Sequence, residues 1–146
     1  MPAFQVAYIR FVGNFYQIGD TYDKLLSWST QNGLLDSADT NLFTVYHDDP
    51  SVTKIDRNRQ SVCVTIPNNF KVESGISKMI IDAGKYLVGY FELLDMDFER
   101  AWNTMYLTLI EKGYKFRNAN VYEMYKAADN TPFTQPYKVN LCIPIE

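Results

Sequence analysis

Glu123 is the residue whose chemistry most needs explaining. It stands in Asn120–Lys126, NVYEMYK, a run that otherwise reads as a β-strand. Alternation places Val121, Glu123 and Tyr125 on one face and Tyr122 and Met124 on the other. Both faces are largely apolar, so the spacing predicts an interior strand. A buried, unpaired carboxylate is costly and either finds compensation or takes up a proton. The compensation can come from an arginine, a set of hydrogen bonds or a visiting cation. Arg10 and Arg59, both in predicted strands, read as solvent-facing residues or, alternatively, as cationic partners of Glu123. Tyr125, two residues on, is a candidate donor.

Other reactive groups are sparse. The chain has two cysteines, Cys63 and Cys142, one histidine, His47, and no CxxC pair. That argues against a Cys/His metal site, and neither a metal nor a cofactor is expected. Both cysteines sit in apolar strand patterns and read as core residues. His47 precedes Asp48-Asp49-Pro50 and reads as a surface turn residue. Glu92 closes a strand and reads as solvated. Asp95, Asp97 and Glu99 gather where a helix begins, and negative charge is favoured there.

Length and composition bound the rest. With 146 residues, the expectation is a single domain over residues 1–146 with a real core. A net charge of −3 argues against direct contact with nucleic acid, which needs a basic surface. No apolar run approaches the roughly 20 residues of a spanning helix. The start, MPAFQVAYIR, lacks the apolar segment of a signal peptide. A cytoplasmic location with no membrane partner is therefore expected. Eleven Tyr, nine Phe and two Trp exceed ordinary usage, and aromatics both fill cores and wall ligand sites.

Elements must position Glu123. Strand patterns cover Phe4–Val12, Leu42–His47, Arg59–Ile66, Ser77–Asp82, Tyr86–Leu93, Asn120–Lys126 and Lys138–Ile145. Ile18, Tyr22, Leu25 and Leu26 fall at helical spacing, with Gly33 as the stop. Phe98, Trp102, Met105, Tyr106, Leu109 and Ile110 do the same, with Asp97 as N-cap and Gly113 as the stop. The halves, about 4–67 and 77–146, share one grammar. A shift of 80 lays Tyr22 on Trp102 and Gly33 on Gly113. A shift of 79 lays Phe43–Tyr46 on Tyr122–Tyr125 and Cys63 on Cys142. This internal duplication predicts an α+β fold, with two helices laid on one larger sheet and a groove along the pseudo-twofold axis. Glu123 falls on Thr44, so the repeated template does not itself call for a carboxylate.

The segments VAYIRFVGNFYQIGDTYDKLLSW, FTVYHDDP, VCVTIP, DFERAWNTMYLTL, VYEMY and LCIPI follow one another in order. Together they resemble the GyrI-like small-molecule-binding family, a resemblance that spans about Phe4 to Ile145. That family takes in a stand-alone DNA gyrase inhibitor and the effector-binding domains of AraC- and MerR-type multidrug regulators. The resemblance implies a duplicated β-α-β-β module with a curved antiparallel sheet and two helices flanking a central ligand groove. It also implies that Tyr122-Glu123-Met124-Tyr125 carries the family's groove carboxylate. Trp102 and its repeat partner Tyr22 become wall residues, and Phe15, Phe91 and Tyr106 further wall positions. Two stretches depart from the family's habit: Leu94–Asp97, where Gly-Pro-Tyr is usual, and Lys138-Val139-Asn140, where acidic residues are usual. No helix-turn-helix module is visible in the 146 residues, so operator binding by this chain alone is not expected.

The function expected is binding of small, apolar, cationic or amphipathic organic molecules, for sensing or sequestration of drugs or xenobiotics. Glu123, Trp102, Tyr22, Tyr125, Tyr106, Phe15 and Phe91 are the expected ligand-binding residues. Two alternatives stand beside it. One is hydrolysis of strained-ring electrophiles with Glu123 as general base. The other is inhibition of a topoisomerase by protein contact, with a topoisomerase or a regulator as the protein partner. Oligomeric state is open.

Overall fold

The computed structural model describes residues 3–14, 17–37, 39–48, 54–73, 75–94, 98–126 and 137–146. Its elements in chain order are β1 (Phe4–Val12), α1 (Gly19–Gln31), β2 (Asn41–Tyr46), β3 (Arg59–Thr65), β4 (Ser77–Ile81), β5 (Lys85–Leu93), α2 (Phe98–Glu111), β6 (Tyr122–Lys126) and β7 (Tyr137–Ile145). Each strand lies within two residues of its predicted range. Asp95, Asp97 and the predicted turn at Asp49-Pro50 fall outside the described residues.

Among the described residues the strands form one antiparallel sheet in the order β4-β1-β3-β2-β6-β7-β5. Set β4 aside and the order is palindromic in the halves: β1-β3-β2 meets β6-β7-β5. The pairing registers repeat as well. Val6 faces Thr65 in the first half, and Tyr86 faces Pro144 in the second. Phe43 faces Cys63, and Tyr122 faces Cys142. The halves join through β2 and β6, where Thr44 lies opposite Glu123. These two are repeat counterparts, so the pseudo-twofold axis passes through that pair.

Each helix packs on its own half, α1 over β1 and β3, and α2 over β5 and β7. The central pair β2–β6 thus lies along the seam between them. Both helices end as the sequence requires, with Gly33 at φ +67° and Gly113 at φ +70°, a left-handed geometry that glycine adopts without a Cβ clash. At the end of α2, Gly113 N–H donates to the Ile110 carbonyl and Tyr114 N–H to the Leu109 carbonyl, closing a Schellman motif. Gly89 on β5 serves a different need. A Cβ there would fall on the Met105 sulfur, so its absence lets α2 settle close on the sheet.

The Ala83-Gly84 turn does not make a hairpin. β4 pairs with β1 and β5 with β7, at opposite edges of the sheet. Ile81 to Lys85 is four steps of chain, at most about 14 Å. A flat seven-stranded sheet would be roughly 29 Å wide. The sheet must therefore curl until its edges approach. Ala7, Leu25, Leu42, Val62, Met105 and Leu141 belong to the core on the helix side. The curl encloses a second core with Val6, Phe43, Val45, Cys63, Tyr122 and Cys142. Both cysteines are free and buried there, and burial raises both thiol pKa values, that of Cys142 to about 12. They are packing groups.

Candidate functional site at the seam

β6 lies between β2 and β7, the interior position its two apolar faces predict. Tyr122 and Met124 point into the curl, and Val121 and Tyr125 into the helix-side core. Glu123 points toward the helices and is 0% exposed.

Three neutral donors converge on its carboxylate. Tyr46 Oη donates to Oε1 at 2.8 Å and Trp102 Nε1 to the same oxygen at 3.1 Å. Tyr125 Oη donates to Oε2 at 3.0 Å. Trp102 comes from α2, Tyr46 from β2 and Tyr125 from β6, so both halves supply donors. Neither candidate arginine takes part. Arg10 Nε donates to Ser61 Oγ at 3.2 Å, and Arg59 pairs with Asp48 at 2.9 Å. The acid's pKa is pushed up to about 7, first by burial, with the three hydrogen bonds pulling it partway back. Burial raises the phenol pKa values of Tyr22, Tyr46 and Tyr125, and the charge of Glu123 adds to each. The site is a desolvated acid held by hydrogen bonds, with no cation bonded to it among the described residues.

Tyr22 is 1% exposed and its hydroxyl bonds to Thr44 Oγ1. This repeats the Trp102–Glu123 contact about the axis, helix residue to strand residue. Tyr106 lies with its ring 6.0 Å from that of Trp102 and is partly exposed. Phe91 packs against the helix-side core from β5, and its ring lies beside Gly89. Phe15 lies outside the described residues. Tyr46 is a site residue that the sequence reading did not single out. Its ring also stands edge-on to Trp102, 6.1 Å between centroids. Its repeat counterpart is Tyr125, a signal available in the aligned FTVY and YEMY segments.

His47 is not a free turn residue. Its Nε2 lies 2.7 Å from Ser61 Oγ, and it is half-buried. Burial lowers its pKa, with Arg10 and Arg59 adding to the shift. Glu92 is exposed and accepts from Tyr90 Oη at 2.9 Å, away from the seam. Among the described residues no group of three or more His, Cys, Asp or Glu side chains is placed to hold a metal. No described helix is long and apolar enough to cross a membrane.

The sequence profile of the GyrI-like small molecule binding domain matches residues 1–146. The chain belongs to that family. It is 32% identical over 125 residues to a DNA gyrase inhibitor of Pectobacterium carotovorum subsp. carotovorum (strain PC1), covering 83% of this chain and 79% of that protein. The fold matches the EcmrR C-terminal domain at a TM-score of 0.74 and 19% identity, over 100% of this chain and 93% of that one. In the EcmrR–DNA complex the match covers 55% of the EcmrR chain. The structure of SAV2435 bound to tetraphenylphosphonium matches at a TM-score of 0.59 and 10% identity, covering 100% of this chain and 90% of that one.

Proposed function

We propose that the domain binds small, apolar organic cations at the seam, with Glu123 as the countercharge and Trp102, Tyr46 and Tyr22 as aromatic walls. One observation carries the reading: a fully buried carboxylate whose partners among the described residues are all neutral donors. Such a group favours a proton when the site is closed and a cation when one enters. Aromatic faces add about 0.5–2 kcal/mol for each good cation–π contact. Entry requires Trp102 or Tyr46 to turn aside, since both are half-buried and cap the same oxygen. The tetraphenylphosphonium bound by SAV2435 is a ligand of this class in a protein of the same fold.

The test is titration with tetraphenylphosphonium, followed by tryptophan fluorescence, on the wild type and Glu123→Gln. Binding by the wild type that weakens at least tenfold in the variant supports the reading. Equal binding, or none, overturns it. Time-dependent loss of a cyclopropane or epoxide compound, abolished by the same substitution, would instead assign hydrolysis.

A second reading rests on the relatives named DNA gyrase inhibitor. It holds that this chain too restrains a gyrase by protein contact. A supercoiling assay decides it: inhibition rising with the amount of domain added supports it, and full activity at molar excess removes it.

A further inference from the structure

The duplication supplies an internal control for the surface. α1 and α2 occupy equivalent places, yet their outward residues differ in kind. Ser27 and Thr30 on α1 correspond to Leu107 and Ile110 on α2, and these two are 60% and 73% exposed. An apolar ridge on a solvent-facing helix is where a partner is expected.

The flank of α1 that bears Ser27 has a neighbouring segment beside it, though Lys24, Ser27 and Gln31 stay exposed. The segment following β3 folds back beside it: Phe70 meets Trp28 edge-on at 6.0 Å, and Glu73 closes a hollow with Lys24, Ser27 and Gln31. Among the described residues no segment does this for α2. The first half keeps the segment after β3 beside its helix, whereas on α2 Leu107 and Ile110 stand exposed.

We propose that this flank of α2 is covered by α2 of a second copy, forming a twofold dimer. Charge complementarity favours a copy over another partner. Arg100, Thr104, Leu107 and Glu111 lie on one stripe, spaced four, three and four residues apart. Two such helices, antiparallel about a point between Met105 and Tyr106, set Arg100 of each against Glu111 of the other. The same arrangement lays Leu107 of each over Thr104 of the other, with Ile110 beside it. A twofold contact needs this self-complementarity, because each residue is met by its own pattern. Tyr106 borders the ridge and touches Trp102, so the contact lies beside the seam.

Sedimentation equilibrium from micromolar to near-millimolar protein tests the proposal. The mass should rise from 16.9 kDa toward twice that value. Replacing Leu107→Ser and Ile110→Thr, the first-half residues, should weaken association at least tenfold. Arg100→Glu and Glu111→Arg should each weaken it, and the two together should restore it, which mere surface stickiness would not do. A mass of 16.9 kDa at every concentration overturns the proposal, as does failure of the paired charge reversal to restore association.

Discussion

At the residue scale, the protonation of Glu123 is the most direct handle. Its folded pKa of about 7 lies above its ordinary value of 4.5, so between these the folded state holds more of the proton. Below pH 4.5 the contribution to stability is fully present, and it is lost as pH rises through 7. The span corresponds to a change on the order of 3 kcal/mol. Urea unfolding midpoints at acid and slightly alkaline pH should show a fall in the wild type that Glu123→Gln lacks. A matching fall in the variant would place the effect elsewhere. The same linkage governs ligands. A cation that binds the ionised acid must displace the proton below pH 7, so its Kd should tighten about tenfold per pH unit up to there and then level off. Of the donors, Tyr125→Phe should cost stability, about 1–3 kcal/mol, because it leaves Oε2 without its bond. Tyr46→Phe should cost less, since Trp102 still serves Oε1.

At the element scale, the tightest constraint is the contact of α2 with β5. Gly89→Ala places a methyl on the Met105 sulfur and against Phe91, and overpacking of this kind costs about 1–3 kcal/mol. Thermal unfolding should register the loss, and the same substitution should cost less in a Met105→Ala background, where the methyl has room. The helices and their ends were legible in sequence because stripe and glycine are local signals: Phe98, Met105 and Gly113 lie where their pattern put them. Glu123 was legible too, because period-two alternation fixes which side chains share a face. Tyr46 was not singled out. It stands at the end of a strand, and its role depends on β2 lying beside β6, a pairing between halves that no local pattern encodes. The separation of β4 from β5 was hidden for the same reason. Ser77–Leu93 carries the marks of two strands and a turn, and only the whole sheet decides that the turn spans its opposite edges.

At the scale of the molecule, the sheet is graded from centre to rim. β4 is five residues long, pairs only with β1 and exposes most of its side chains. β2, β3 and β6 have neighbours on both sides and are largely buried. Amide hydrogen exchange should therefore open β4 first and the middle strands last, at the free energy of global unfolding. Early exchange of β6 with β4 protected would contradict that order. The position of Glu123 opposite Thr44 then bears on how the charge arose. In an ancestor made of two identical unfused halves, this residue would face its own copy. A carboxylate there could come only in pairs, two like charges across one strand boundary in the dry centre of the protein. Once the halves became one gene, a single mutation could place one charge and leave threonine opposite. The fusion made a lone acid on the symmetry axis reachable, and lineages of unfused half-modules should lack it.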